Sequence, residues 1–256
     1  MKGSKELEMA IRAAREAGDL LMKYYGRVTV GYKKDGSIVT DADIKSEKVI
    51  KSILNREFPD YSFLGEESGM EDRSSEYTWL IDPLDGTTNY CIKNPFFNVS
   101  IALAYKEEPI LGVVYYPFQD ELFYAEKGRG AHLNDEKIEV SKQENMEDSV
   151  ICFCHALDKE TVETMSKIFR RIKLVNNTLR QIGAAALELS YVACGRVEAF
   201  LMIKLNPWDV AAGAVIVREA RGKVTDFDGN SFNLKARDML ASNGRIHEDL
   251  LRLIKP

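Results

Sequence analysis

The stretch Trp79-Leu80-Ile81-Asp82-Pro83-Leu84-Asp85-Gly86-Thr87-Thr88-Asn89 carries an apolar run into two aspartates, then into a glycine turn followed by two hydroxyls. A short, wholly apolar run reads as a buried strand. Carboxylates at the end of such a strand, beside exposed backbone N–H groups, suit a divalent cation on one side and a phosphate on the other. Two further segments belong with it. Gly65-Glu66-Glu67-Ser68 lies upstream and Trp208-Asp209 lies far downstream, each at a strand–loop junction.

Outward from this stretch the periodicities sort the chain into two textures. Leu7, Ile11, Ala14, Gly18, Leu21 and Tyr25 recur at helical spacing and predict a long opening helix. Residues 28–37 read as a loop or short hairpin, and Thr40 or Asp41 caps a second helix that ends at Phe58-Pro59. Apolar runs at 62–64 and 78–81 empty into acidic residues, and 98–105, 110–116 and 121–125 form a meander of antiparallel strands. A polar segment, 141–148, marks a lobe boundary that divides the chain into 1–140 and 141–256. Beyond it strands and helices alternate: strand 149–154, helix 159–171, a short strand at Leu174-Val175, helix 184–194, strand 197–203, helix 209–220, strand 223–225 and helix 247–254. Such alternation implies a layered α/β arrangement.

The 256 residues are 45% hydrophobic and 29% charged, with a net charge of −5. That balance argues against a nucleic-acid partner, which would call for a basic surface. No run approaches a membrane span, and the N-terminus lacks an apolar signal core, so a cytoplasmic setting is expected. The four cysteines, Cys91, Cys152, Cys154 and Cys194, match no zinc spacing. Cys152 and Cys154 share one face of a strand and read as small core residues rather than redox groups.

Hydrolysis of a phosphate monoester pits a weak nucleophile against a charged ester and a poor leaving group. Two Mg²⁺ ions address all three problems, and hard oxygen ligands suffice to bind them. The three histidines, His132, His155 and His247, lie away from the acidic segments in sequence, which disfavours a phosphohistidine route. Asp82-Pro83-Leu84-Asp85-Gly86-Thr87-Thr88, with Gly65-Glu66-Glu67-Ser68 and Trp208-Asp209-Val210-Ala211-Ala212-Gly213, resembles the inositol monophosphatase family. That family extends to dual-function fructose-1,6-bisphosphatases of bacteria and archaea. The likeness covers nearly the whole chain, including Val39-Thr40-Asp41-Ala42-Asp43.

The resemblance implies an α/β fold, an alternating αβαβα sandwich, with the active site between the two lobes. It implies two or three Mg²⁺ ions, with Mn²⁺ as a substitute, and a water activated by them. Glu66, Asp82 and the Leu84 carbonyl would hold a first ion, and Asp82 would bridge to a second held by Asp85 and Asp209. Thr87, oriented by Asp43, would position the attacking water with Glu66 close by. Lys33 or Lys34 would be the loop lysine that approaches the phosphate. Asp85, Gly86, Thr87, Gly183, Ala184, Ala185 and Met202 would line the substrate. Met202 also reads as an ordinary core residue of a strand, and Lys204 is the nearby cation. Taken singly, Glu66-Glu67 reads as a solvated loop, Asp209 as a helix cap and Thr87-Thr88 as turn residues.

The resemblance implies hydrolysis of inositol-1-phosphate. Fructose-1,6-bisphosphate is the close alternative, 3′-phosphoadenosine 5′-phosphate a more distant one, and a regulatory protein that merely keeps the fold the last. The partner is then a small phosphorylated polyol or sugar, with no nucleic acid or membrane, and the assembly a homodimer.

Overall fold

The computed structural model describes residues 3–33, 36–156 and 158–255. The chain opens on helix α1 (Lys5–Tyr24), started by Ser4, whose Oγ accepts the Leu7 N–H at 3.1 Å. Its buried face is Leu7, Ala10, Ala13, Ala14, Ala17 and Leu21, the spacing the sequence displays. A hairpin of β1 (Val30–Tyr32) and β2 (Ile38–Thr40) leads into α2 (Asp41–Glu57). Thr40 rather than Asp41 caps α2. Its Oγ1 accepts the Ala42 N–H, and Asp43 Oδ2 accepts the Thr40 N–H at 2.9 Å, closing a capping box.

An eight-stranded sheet follows: β3 (Ser62–Gly65), β4 (Gly69–Glu71), β5 (Tyr77–Asp85), β6 (Asn98–Tyr105), β7 (Glu108–Tyr116), β8 (Glu121–Glu126), β9 (Ala131–Leu133) and β10 (Glu136–Ile138). Its order is β10-β9-β8-β7-β6-β5-β3-β4, antiparallel except where β3 runs parallel to β5. Between β5 and β6 lies the short helix α3 (Thr87–Cys91).

The chain then moves to a five-stranded sheet ordered β12-β11-β13-β15-β14. Its elements are β11 (Val150–His155), α4 (Lys159–Lys173), β12 (Thr178–Arg180), α5 (Ala185–Ala193), β13 (Ala199–Ile203), α6 (Pro207–Glu219), β14 (Lys223–Thr225), β15 (Asp238–Ser242) and α7 (His247–Ile254).

Burial assigns the layers. On β5, Trp79 and Ile81 face α1 and α2, while Leu80 faces α5 and α6, the two-residue alternation of a strand covered on both sides. α5 and α6 are sandwiched between the two sheets, and α6 is accordingly apolar all round, buried continuously from Val210 to Val217. Beyond the small sheet, Met165, Ile168 and Ile172 of α4 meet Leu250, Leu251 and Ile254 of α7 over Ala199, Leu201 and Leu240. The layers therefore run αβαβα, as the resemblance implies. Cys152 and Cys154 lie in the central core, and all four thiols are free.

Two readings of the sequence need correction. Leu174-Val175 is not a strand. The amphipathic pattern of α4 continues to Lys173, the Leu174 and Val175 N–H groups close its last turn onto Arg170 and Ile172, and both side chains are exposed. The neighbouring strand is β12. The inner strand β15, buried from Met239 to Ser242, is not among the expected elements, nor are the short strands β4, β9 and β10. Among the described residues no helix is long and apolar enough to cross a membrane.

Candidate active site

The parallel pairing of β3 with β5 sets the site. Gly65 registers with Ile81, so the next residues, Glu66 just beyond β3 and Asp82 within β5, come side by side. The Glu66 N–H donates to the Ile81 carbonyl at 3.0 Å. Gly65 is required by close packing, because a Cβ there would stand 2.6 Å from the buried Glu47 carboxylate. That carboxylate in turn accepts the Glu67 N–H at 2.9 Å.

After Asp82 the pairing of β5 with β6 slips, Asp82 facing Ser100 but Asp85 facing Asn98. Pro83 has no N–H to give to the ladder, which suits a bulge that re-aims the side chains around it. Asp82 Oδ1 accepts the Leu84 N–H at 3.1 Å, and Ser46 Oγ donates to the Pro83 carbonyl at 2.8 Å. Gly86 then turns the chain at φ +88°, where any Cβ would meet the Phe96 carbonyl at 2.6 Å. Thr87 opens α3, and its Oγ1 lies 3.1 Å from Asp43 Oδ1 and 3.0 Å from the Leu84 carbonyl.

Asp85 is held on both oxygens. Oδ1 accepts the Ala185 N–H at 3.1 Å, and Oδ2 accepts the Ala186 N–H at 2.8 Å and Asn98 Nδ2–H at 2.7 Å. Asp209 occupies the first turn of α6, where its Oδ2 accepts from the backbone N–H (2.9 Å) and side-chain amide (3.2 Å) of Asn206. It thus serves the helix start, although the residue preceding the helix is Asn206. The Lys33 ammonium donates to Glu66 Oε1 at 2.8 Å and Glu67 Oε1 at 2.7 Å. Lys34 lies outside the described residues.

Electrostatically the cluster is short of positive charge. Burial lifts the Asp82 carboxyl well above the usual range, and Glu66, Asp85 and Asp209 push it further. Asp85 is pushed up to about 6 by burial, against the hydrogen bonds from Asn98, Ala186 and Ala185. Burial, with Asp85 and Glu66 nearby, brings Asp209 to about 7. Glu67 also rises to about 7 through burial, opposed by Lys33. Burial works against the Lys33 charge, yet its bonds to Glu66 and Glu67 raise its pKa overall.

The donor set, four carboxylates and the Leu84 carbonyl, is all hard oxygen, the chemistry that Mg²⁺ or Mn²⁺ takes. Among the described residues no three acidic, His or Cys side chains close into a finished cage. Lys33, the α5 N–H groups and Asn206 each engage one of these carboxylates, Glu66, Asp85 and Asp209 respectively.

The remaining expected residues are placed as follows. Gly183 turns at φ +81°, and its carbonyl accepts from Asn89 Nδ2 at 3.3 Å. Ala184 and Ala185 are buried at the start of α5, the Ala185 N–H already engaged by Asp85. Met202 is 9% exposed and packs in the central core, paired across the sheet with Cys154 and Met239. Of its two readings, this placement fits the core residue. Lys204 turns away to an ion pair with Asp158 at 2.9 Å.

Sequence reading overlooked Asn98, Asn89, Glu47 and Glu188. The first and last carried a signal, an amide at the head of a mostly apolar buried strand and the lone charge of a mostly apolar buried helix. Glu47 carried none that distinguishes it from a solvated helix face.

The inositol monophosphatase family model matches residues 3–255. The fructose-1,6-bisphosphatase/inositol-1-monophosphatase of Thermotoga maritima is 37% identical over 250 residues, covering 97% of this chain and 95% of that one. An inositol-1-monophosphatase of Synechocystis is 39% identical over 248 residues, 95% of this chain and 86% of that one. The crystal structure of the extragenic suppressor protein SuhB from Bartonella henselae superposes with a TM-score of 0.94 at 38% identity, covering 98% and 99% of the two chains. With its site built at the ends of β3 and β5 and its whole length matched, the chain belongs to the inositol monophosphatase family, a family of phosphatases.

Proposed function

We propose that the chain is a Mg²⁺-dependent phosphomonoester hydrolase whose substrate is inositol-1-phosphate. The observation that carries the reading is the Thr87 hydroxyl, set between Asp43 Oδ1 and the Leu84 carbonyl next to the buried Asp82. Glu66, Asp82, the Leu84 carbonyl, Asp85 and Asp209 would hold two or three Mg²⁺ ions, for which Mn²⁺ could substitute. When bound, the ions acidify water and neutralise charge on the phosphate.

The protein groups do the positioning. With its O–H donating to Asp43, Thr87 Oγ1 keeps its lone pairs as an acceptor and orients a water toward phosphorus. Asp43 cannot swing away, because its Oδ2 is tied to the backbone and hydroxyl of Thr40. Glu66 is the second acceptor beside that water. As water adds, the bond between phosphorus and the inositol oxygen breaks; the proton the water gives up passes to Glu66, one proton is returned to the departing inositol oxygen, and inorganic phosphate remains. The N–H groups of Gly86 and Thr87 face the phosphate, and Lys33 moves to it from Glu66 and Glu67. Gly183, Ala184 and Ala185 form the polyol side. The chain works in the cytoplasm as a homodimer.

Fructose-1,6-bisphosphate is a second reading, favoured by the Thermotoga maritima relative, whose name carries both activities. Met202 offers neither a carboxylate nor a cation to a sugar ring. Phosphate release with Mg²⁺ from the two substrates, compared as kcat/KM, tests both. A preference of about a hundredfold for inositol-1-phosphate, roughly 2.7 kcal/mol, supports the first reading, and comparable rates support a dual-function enzyme. Release that persists in Asp82→Asn overturns the proposal.

A further inference from the structure

Glu188 is the lone charged side chain of α5 and is fully buried. A carboxylate stripped of water is costly unless it is fully hydrogen-bonded, and a leucine would fill the same space without that cost. Its partners show what it holds. Oε1 accepts the Ile182 N–H at 3.0 Å, and Oε2 accepts the Cys154 thiol at 3.2 Å. Ile182 begins the segment that leads into α5. The carbonyls of Ile182 and Gly183 accept from Asn89 Nδ2, Gly183 turns the chain, and the Ala185 and Ala186 N–H groups then meet Asp85. α5 has no side-chain cap of its own at Ala184. Asp85 supplies one from the end of β5, so the placement of this first turn and the aim of Asp85 are one geometry.

We propose that Glu188 is a positioning residue: by gripping Ile182 it fixes the first turn of α5, and that turn aims the Asp85 carboxylate for a divalent cation. The inference rests on the reading of Asp85 as a metal ligand. Groups that orient a ligand from behind typically change metal affinity ten- to a hundredfold when removed. Glu188 acts at one remove further, so a change of about tenfold is expected.

The test is a calorimetric titration of the metal-free protein with Mn²⁺, paired with the Mn²⁺-induced rise in melting temperature. Both readouts are independent of turnover. Glu188→Met removes the acceptor at Ile182, and Glu188→Asp withdraws it by one methylene while keeping the charge. Both variants are expected to weaken Mn²⁺ binding about tenfold. Glu188→Gln can still accept from Ile182 and is expected to bind close to wild type. Cys154→Ala, which removes the Cys154 thiol and leaves Ile182 engaged, is expected to do the same. Should Glu188→Met fail to fold, Glu188→Asp decides.

Wild-type affinity in a cooperatively melting Glu188→Met or Glu188→Asp protein overturns the inference. So does a Cys154→Ala loss as large as theirs, since the effect would then run through core packing. A wild-type protein that binds no Mn²⁺ overturns the proposed function and this inference together, whereas unchanged variants of a protein that does bind it overturn this inference alone.

Discussion

Thr87 Oγ1 and Asp43 Oδ1 stand 3.1 Å apart across 44 residues of sequence, one at the start of α3 and the other in the first turn of α2. Asp43 divides its two oxygens between these elements, Oδ2 closing the capping box on Thr40 and Oδ1 meeting Thr87. The proposed catalytic hydroxyl of Thr87 and the start of α2 therefore share one carboxylate. Thr87→Ala is expected to lower kcat by about 10²–10⁴-fold, the usual worth of a positioned acid–base group, with Thr87→Ser recovering most of it. Asp43→Ala is expected to lose activity similarly and, in addition, about 1 kcal/mol of stability with the cap. Rate measurements and denaturant melts of the three variants separate these roles; a Thr87→Ala enzyme with unchanged kcat would remove Thr87 from the chemistry.

Burial and three acidic neighbours all disfavour the charge of Asp82. Replacing it with asparagine removes that charge and keeps an oxygen for the Leu84 N–H. Without metal, Asp82→Asn is expected to melt at or above the wild-type temperature at pH 8. With Mg²⁺ the order reverses, because only the wild type gains stability by mass action from a bound ion. Paired thermal melts with and without Mg²⁺ read this directly. A metal-free variant that melts well below wild type would mean that Asp82 is held by partners other than a cation.

Much of this site is legible in the sequence where chemistry and local structure coincide. The apolar run 79–81 announces a buried strand, and Asp82, Asp85 and Gly86 announce what happens at its end. Thr40 and Asp43 stand at capping-box spacing. What the sequence does not display is pairing between distant segments. That β3 lies parallel to β5, bringing Glu66 beside Asp82, is a tertiary fact, as is the capping of α5 by Asp85. Leu174-Val175 misleads because two apolar residues after a helix look like a strand, yet here they only close its last turn. Met202 was ambiguous for a related reason: a strand residue next to a site and a strand residue in a core share one pattern.

The buried placement of Met202 between Cys154 and Met239 makes a prediction against a substrate-contact role. Met202→Leu conserves volume and is expected to cost less than about 1.5 kcal/mol and to leave kcat/KM for inositol-1-phosphate nearly unchanged. Met202→Glu would bury a carboxylate in an apolar layer and is expected to cost several kcal/mol. Denaturant unfolding and kinetics on both variants check the pair. A stable Met202→Glu protein with altered substrate preference would show instead that this side chain reaches the polyol.

His247 is expected to contribute to the acid sensitivity of the small sheet. It is fully buried at the start of α7, with Ser242 Oγ 2.8 Å from Nδ1 and Thr225 Oγ1 3.0 Å from Nε2. Lys223 on β14 and Glu248 on α7 are the charged groups that act on it. Burial, with a smaller push from Lys223, lowers its pKa to about 4. Between that value and the ordinary imidazole pKa of about 6.5, the unfolded chain binds the proton and the folded chain does not. Stability therefore falls as pH drops through this window and is fully present above it. The loss attributable to His247 is on the order of 2–3 kcal/mol by pH 4. His247→Gln keeps a donor and an acceptor for Ser242 and Thr225 but cannot titrate. Denaturant melts from pH 7.5 to 4 are expected to show a shallower decline for this variant than for the wild type, and parallel curves would place the acid sensitivity elsewhere.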